Sequence, residues 1–311
     1  MPEINLIKLE GKPFEKLIDV ISKGIGTLYK PRAIRKEADS KAYEIGIIEQ
    51  AKSKALAEGK VLEAETYLRI QERLLFNETE RQKSIDNVVE IAAEQLKNED
   101  NISEEPVDKD WSKRFFNLVQ DTTDEEMQAL WGRILAGETK KPKSYSKRTL
   151  EVLKNLSKEE AEIFTKFAEL KIKVNEYTVI INNDKGKFIK EEFGITFNDC
   201  LLMVELGLIS SENSFVISFE PTNNNDKNIY ITYGNKGFKI KRKQNSPERN
   251  IQVLSFTKIG CELSKLIHPK VNMNYIEKIC LSFKHENTDI EYGDILEKNE
   301  KKFLINIKEY N

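Results

Sequence analysis

The spacing of apolar residues divides the chain into a helical first half and a second half in which strands alternate with helices. Residues 14–28 place apolar side chains on one helical face, and residues 32–59 and 60–98 are rich in good helix formers. This pattern predicts a short amphipathic helix followed by two long ones. The apolar face of the first long helix is narrow, which is typical of a coiled coil or of a hairpin partner. The isoleucines of that face, predicted to mediate self-association, are Ile34, Ile45 and Ile48.

The strongest helical periodicity lies between Asp110 and Phe167. Thr123 and Ser157 each begin a predicted capping box, in which a hydroxyl and a carboxylate three residues later satisfy the free backbone amides of a helix start. Between these starts, a stripe of apolar residues with three- and four-residue spacing predicts a buried helical face. The stripe comprises Met127, Leu130, Trp131, Ile134 and Leu135. A compact helical module is therefore expected here.

After Lys171 the β-branched and aromatic residues become frequent. The predicted strands are 177–181, 213–219, 228–233, 237–240 and 303–307, and the predicted helices are 197–206, 257–267 and 275–284. A helix stopped by Gly207, then a ribbon of strands and another helix, resembles a winged-helix arrangement. The predicted fold class is α+β, with long coiled-coil-like helices at 1–98, a helical module at 99–170 and a winged-helix-like α+β domain at 171–311.

The charge balance restricts the partners. Fifty basic and 52 acidic residues give a formal net charge of -2, so no overall field attracts nucleic acid or an anionic membrane. Basic residues are nevertheless concentrated in the predicted wing, residues 239–249. The wing residues that could contact phosphate are Lys239, Lys241, Arg242, Lys243 and Arg249. The neighbouring predicted helix, 198–206, contains no Lys or Arg, which favours a structural winged helix over one that reads DNA.

Two interpretations of the amphipathic segment at Phe14 to Leu28 remain open. Its apolar face either docks on the helices of this protein or of a second copy, or it lies on a membrane surface, and its few basic residues favour docking. The N-terminus lacks the continuous apolar region of a signal peptide, and no run approaches the ~20 apolar residues of a membrane span. A cytoplasmic location is expected, with peripheral contact at the inner membrane as the alternative.

No catalytic, cofactor-binding or metal-binding residue is predicted. Cys200, Cys261 and Cys280 lie in apolar helical surroundings, which are typical of reduced core thiols. The two histidines, His268 and His285, are not spaced with cysteines or carboxylates as a metal site requires. The sequence contains neither a phosphate-cradling glycine loop nor a nucleophile elbow. A nuclease whose Asp, Glu and Lys residues meet only in three dimensions would leave no such motif.

A family resemblance rests on the run Trp131-Gly-Arg-Ile-Leu-Ala-Gly-Glu138, followed by Ser146-Lys-Arg-Thr-Leu150 and Leu156-Ser-Lys-Glu-Glu-Ala161. These runs resemble a signature of uncharacterised bacterial families known only as domains of unknown function, among them the Abi-alpha proteins of abortive infection. The similarity covers Arg32 to Phe167 well and the C-terminal half weakly. The motif residues are Trp131, Gly132, Leu135, Ala136, Gly137, Glu138 and Arg148. The resemblance implies an intracellular prokaryotic protein with a role in defence against phage, and it supplies no catalytic residues.

These expectations favour a self-associating cytoplasmic protein of the abortive-infection type, acting as a sensor, scaffold or effector without a catalytic site of its own. The expected partners are further copies of the chain and a protein partner or phage component, and no cofactor is expected. The main alternative is a nucleic-acid-binding protein or nuclease that acts through the basic wing. The other alternative is a membrane-surface effector that uses Phe14 to Leu28.

Overall fold

The computed structural model describes residues 11–26, 29, 61–99, 101–211, 215–223, 225–298 and 301–310. The predicted seam of Ile34, Ile45 and Ile48 lies outside these residues. The chain groups into two compact units, Met1–Leu150 and Glu151–Asn311. The sequence placed boundaries at 98 and 170 instead, where an acidic stretch and a change of composition occur.

The described part of the first unit is helical. It contains α1 (Lys12–Ile25), α2 (Val61–Leu96), α3 (Lys109–Val119) and α4 (Glu125–Lys140), and α5 (Lys147–Asn155) runs across the boundary between the units. Helix α1 packs mainly on α3, and α2 packs mainly on α4. Both pairs join helices from opposite sides of the acidic stretch at 98–108. That stretch therefore connects elements of one packed unit.

Helix α1 confirms the amphipathic pattern of its sequence. Its apolar face is buried, and Gly26 ends the helix in the left-handed conformation with φ 81°, where its amide donates to the Ser22 carbonyl at 3.1 Å. A Cβ atom on Gly24 would lie 2.3 Å from Cδ2 of Phe116, so α1 and α3 approach closely at this point. This face docks on helices of the same chain. Contact with a membrane would require it to leave that packing.

Helix α2 differs between its two halves. The second half buries Ile85, Val88, Ala92 and Leu96. A Cβ atom on Gly132 of α4 would lie 2.4 Å from Cγ2 of Ile91, because the two helices pack closely there. In the first half, residues 72–79 are exposed on every side. Among the residues that the structure describes, no helix is both long enough and apolar enough to cross a membrane.

The second unit is a mixture of helices and an antiparallel sheet. Its helices in the described ranges are α6 (Lys158–Glu169), α7 (Lys187–Phe193), α8 (Phe197–Glu205), α9 (Lys258–Ser264) and α10 (Met273–Phe283). Its strands are β1 (Ile172–Val174), β2 (Tyr177–Ile181), β3 (Val216–Phe219), β4 (Lys227–Tyr233), β5 (Lys236–Arg242), β6 (Arg249–Ser255), β7 (Thr288–Lys298) and β8 (Lys301–Tyr310). They form one sheet in the order β3-β6-β2-β1-β4-β5-β7-β8. The α+β class is confirmed, and the winged-helix and coiled-coil details stay predictions.

Three strands and one helix of this unit were missing from the sequence prediction: β1, β6, β7 and α7. Strand β7 carries Asp, Glu and Gly, which are uncommon in strands, and it forms because it pairs with β5 along Lys236 to Arg242 and with β8 on its other side. Strand β6 begins at Arg249, inside the predicted wing. Residues 239–249 are therefore the end of β5, a turn and the start of β6 within the sheet.

The core on the sheet is aromatic. Tyr275 of α10 is completely buried, stacks with Phe188 of α7 at 6.3 Å and meets the edge of Tyr233 of β4 at 5.1 Å between ring centroids. Its hydroxyl accepts a hydrogen bond from the Ile181 amide at 3.2 Å. Burial raises the pKa of Tyr275, so the hydroxyl remains protonated. This core fixes α7, α10 and the end of β2 relative to one another.

Candidate ligand-binding cleft

The residues of the family motif belong to the packing of the first unit. Trp131 is 1% exposed, and its ring meets the edge of Phe115 at 5.5 Å between centroids. Leu135 and Ala136 are buried beside it, and Gly132 permits the close approach of α2. The predicted core face is confirmed for Trp131, Ile134 and Leu135, whereas Met127 and Leu130 are only partly buried. Of the start signals, the Ser157 capping box is present, whereas α4 is capped by Asp124 rather than by Thr123.

Glu138 shapes the loop that follows α4. It is 2% exposed, and its carboxylate oxygens accept hydrogen bonds from the backbone amides of Lys143 at 2.6 Å and of Tyr145 at 2.9 Å. A Cβ atom on Gly137 would lie 2.9 Å from the Tyr145 ring, so glycine leaves room for that ring. Arg148, the remaining motif residue, is exposed. The motif thus explains a helix packing and the loop that follows α4.

The five predicted phosphate-contacting residues of the wing already have partners within the second unit. Three lysines form ion pairs across strands: Lys239 with Glu291 at 3.3 Å, Lys241 with Asp226 at 2.9 Å and Lys243 with Asp289 at 2.8 Å. The hydrogen bond from Lys241 lowers the pKa of the Asp226 carboxyl. Phosphate would have to compete with these carboxylates. Phosphate binding by the wing stays a prediction.

The two wing arginines serve the fold. Arg242 is 5% exposed and donates to the backbone carbonyls of Glu220, at 2.7 Å, and Pro247. Arg249 donates to the Ser282 carbonyl at 2.8 Å. A guanidinium that holds backbone carbonyls in this way joins neighbouring segments. Substitutions of Arg242 and Arg249 would therefore disturb the sheet as well as the charge.

A cleft that the sequence did not predict lies in the second unit. Its volume is about 920 Å³, within the usual range for a small-molecule site. Three separate segments form it: residues 171–178, residues 232–236 and residues 261–271. The ionisable side chains other than cysteine that line it are Lys171, Lys173, Glu176, Lys236, Lys265 and His268. We call it the lysine cleft, because cations outnumber Glu176, the one acidic residue among those that line it.

Lys171 is the most unusual of these residues. It is half-buried, and its Nζ donates to the backbone carbonyls of Ile267, at 2.7 Å, and Ser264. Burial lowers the pKa of Lys171 to about 8, because an ammonium loses hydration there. No carboxylate pairs with it among the described residues. At neutral pH the cleft therefore holds a positive charge with which no acidic side chain pairs among the residues that the structure describes.

A glycine turn and a tyrosine hydroxyl position another wall of the cleft. Gly234 has φ 55°, and a Cβ atom there would lie 3.2 Å from the Pro269 carbonyl oxygen. The Tyr233 hydroxyl donates to the Lys270 carbonyl at 3.1 Å and accepts from the Asn272 amide at 3.2 Å. These contacts hold residues 269–272 against the end of β4. The cleft therefore has a defined wall at residues 269–271.

The cleft is suited to binding an anion. Cys261 lines it, but burial raises the pKa of its thiol, which disfavours the nucleophilic thiolate form. Lys236 is partly neutralised by its 2.5 Å ion pair with Asp294. No group of His, Cys, Asp and Glu that could hold a metal ion occurs within the described ranges. Lys171 supplies an ammonium ion without a described carboxylate partner, and ammonium ions bind phosphate or carboxylate.

The fold and the cleft define an α+β protein with a helical unit, an antiparallel-sheet unit and a cationic cleft. The chain belongs to the family described as Protein of unknown function (DUF2806), whose model matches residues 68–280. That range contains the whole Trp131 motif and every residue that lines the lysine cleft. No curated protein and no solved structure matches the chain. Membership of a family of unknown function was expected, whereas the relation to the Abi-alpha proteins stays a prediction.

Proposed function

We propose that the chain is a self-associating sensor of phage defence whose second unit binds a small anion in the lysine cleft. The observation that carries the binding step is the half-buried ammonium of Lys171, which no described carboxylate neutralises. Lys173, Lys265 and His268 line the same cleft. A ligand phosphate or carboxylate would form charge-assisted hydrogen bonds with these groups and relieve the cost of burying Lys171.

Self-association is supported by the first half of α2. Leu74, Leu75 and Phe76 are 54%, 59% and 65% exposed, and no described residue covers them. Consecutive residues of a helix point in different directions, so exposed apolar side chains at all three positions favour packing of other helices on more than one side. A second copy of the chain is the proposed partner there. The resemblance of the Trp131 motif to the Abi-alpha proteins supports the defence role, and a cytoplasmic location follows from that role.

The binding step is tested by thermal unfolding and calorimetry with inorganic phosphate, pyrophosphate and citrate as probes. At least one anion should raise the unfolding temperature, because a ligand that binds only the folded state stabilises it. Lys171→Gln should weaken that binding about tenfold or more. Lys227→Gln is the matched control, since Lys227 is exposed and does not line the cleft. Binding unaffected by Lys171→Gln, or no binding of any of the three anions, would overturn the proposal.

The pH dependence of anion binding tests directly whether Lys171 is the binding group. Its pKa of about 8 means that the ammonium loses its proton as the pH rises above that value, so anion affinity should fall between pH 7.5 and about 9. Lys171→Arg keeps its charge over this range, because the pKa of an arginine side chain lies far above it. The variant should therefore show a flatter profile. Equal profiles for the two proteins would assign the titration to another group.

Self-association and defence need separate measurements. Light scattering should show a complex of two or more copies, and Phe76→Ser should shift it toward the monomer. Tyr230→Ser, which removes another aromatic side chain that is 61% exposed, should not cause this shift.

In cells, the intact protein should lower the plating of phage, and Lys171→Gln should abolish this effect. A protein that is monomeric at micromolar concentration, or that gives no protection, would contradict the respective part of the proposal.

A further inference from the structure

A second pocket in the Glu151–Asn311 unit shares no residue with the lysine cleft. Its volume is about 650 Å³. It is bounded by the end of β2, by β6, by helix α7 and by the start of α8, and we call it the α7–α8 pocket. We propose that it binds a mononucleotide, a planar nitrogen base joined to a phosphate. This proposal is independent of the function proposed for the lysine cleft.

The first observation is an unsatisfied polar atom. Oδ1 of Asn182 is buried and has no hydrogen-bond partner. The residue itself lines the α7–α8 pocket, and its backbone amide donates to the Gln252 carbonyl at 2.9 Å. Buried amide oxygens are rarely left without a donor in folded proteins. Rotation of the side-chain amide toward the pocket would let an N–H group of a bound molecule supply that donor, as the exocyclic amines of adenine, guanine and cytosine do.

The second observation is the charge of the pocket. Lys185, Lys187 and Lys190 line it, and none of them forms an ion pair with a carboxylate in the described part of the chain. Glu191 is the one acidic residue among the lining side chains described. Lysines placed in this way bind phosphate as point charges. The pocket therefore favours an anion, and it lies beside the unsatisfied amide of Asn182.

The third observation is an exposed aromatic ring. Phe197, the first residue of α8, is 69% exposed and lines the pocket. It is among the most exposed of the large apolar side chains described. A planar base that stacks on this ring would cover it, and such stacking needs no particular base. Thr196 beside it is already engaged, because its hydroxyl donates to the Asp199 carboxylate at 2.8 Å and accepts from the Asp199 amide at 3.2 Å.

A mononucleotide combines the three features. Its base offers a ring face for Phe197 and an N–H group for Asn182, and its phosphate offers negative charge to the lysines. Neither inorganic phosphate nor an uncharged nucleoside satisfies all of them. A volume of about 650 Å³ accommodates one nucleotide-sized ligand. We therefore expect AMP to bind more tightly than adenosine, and adenosine or phosphate alone to bind weakly.

The test measures the binding of AMP, adenosine and inorganic phosphate by calorimetry. Phe197→Ser should weaken AMP binding about tenfold, a factor that lies within the range that stacking of a base on an aromatic ring contributes. Lys187→Gln should weaken AMP binding and leave adenosine binding unchanged. The matched controls are Tyr230→Ser and Lys227→Gln, which change exposed residues outside the pocket and should alter neither.

Asn182→Ala adds a second readout. Since Oδ1 makes no hydrogen bond in the free protein, its removal should not lower the unfolding temperature, yet it should weaken AMP binding.

If AMP binding is lost in Lys171→Gln and kept in Phe197→Ser, AMP occupies the lysine cleft and the proposal is wrong. A single-stranded oligonucleotide that binds more tightly than AMP, and that also depends on Phe197, would replace the mononucleotide with a nucleic acid. No AMP binding at millimolar concentration would overturn the proposal altogether.

Discussion

Glu138 in the helical unit and Lys171 in the sheet unit are charged side chains held by the same kind of partner. Glu138 accepts hydrogen bonds from the backbone amides of Lys143 and Tyr145, and Lys171 donates to the backbone carbonyls of Ser264 and Ile267. They differ in their surroundings. Glu138 is 2% exposed within a packed loop, whereas Lys171 is half-buried and lines a cleft of about 920 Å³.

This difference separates a structural charge from a binding charge. The oxygens of Glu138 are directed at amides five and seven residues further along the chain, so the group closes a local loop. The ammonium of Lys171 is directed at carbonyls more than ninety residues away, and it faces a space lined by other cations. A buried charge alone does not indicate a site. A buried charge beside an accessible cavity does.

The largest expected effect concerns the core of the first unit, Met1–Leu150. Trp131→Ala removes a side chain that is 1% exposed, and it should lower the free energy of unfolding by about 3 to 5 kcal/mol. Tryptophan fluorescence reports on this unit alone, because Trp111 and Trp131 are the only tryptophans of the chain and both precede Leu150. The remaining Trp111 serves as the probe. An unchanged unfolding midpoint would mean that Trp131 does not contribute to the core.

The next effect tests Glu138 as a structural charge. Glu138→Ala leaves the amides of Lys143 and Tyr145 without their acceptor, which should cost about 3 kcal/mol of unfolding free energy. Glu138→Gln keeps one acceptor oxygen and should cost less. Anion binding to the lysine cleft should stay unchanged in both variants below their unfolding temperatures. Loss of anion binding with intact stability would reverse the roles that we assign to Glu138 and Lys171.

A smaller effect concerns the folding energetics of Lys171. Burial lowers its pKa from 10.5 in the unfolded chain to about 8, so the unfolded chain binds more protons between these values. The stability of the protein should therefore rise with pH over that interval, and the penalty for the buried charge is fully present below about pH 8. Lys171→Met removes this dependence. The free energy of unfolding, followed by circular dichroism at several pH values, should rise more between pH 8 and pH 10.5 in the intact protein than in Lys171→Met. An equal pH dependence in the two proteins would be evidence against the lowered pKa.

The smallest effect is expected at the predicted wing. Lys239, Lys241 and Lys243 already pair with carboxylates of the sheet, so replacing all three by Ser should leave nucleic-acid binding weak or absent, as in the intact protein. Arg242 and Arg249 are kept, because both hold backbone carbonyls. Duplex binding is measured at two salt concentrations. Binding whose log-log salt slope falls by about 0.9 for each phosphate contact removed would support the wing after all.

The helical elements were largely accessible from the sequence. The periodicity of Trp131, Ile134 and Leu135 depends only on neighbours along one helix, and these residues are buried as predicted. The Ser157 capping box is equally local, and it is present. At Thr123 the prediction failed by one residue, because Asp124 offers an equivalent acceptor. Strand β7 was missed because its residues favour strands weakly and its pairing with β5 decides its conformation.

What the sequence determined by itself was the α+β class, most of the helices and the buried face around Trp131, since each depends on spacing within one short segment. The tertiary structure alone decided the order of the sheet, the role of Glu138 and the existence of the lysine cleft. Lys171 looks like any surface lysine in the sequence. It becomes distinctive only when residues 261–271 fold over it, remove water from its ammonium and supply the carbonyls that hold it.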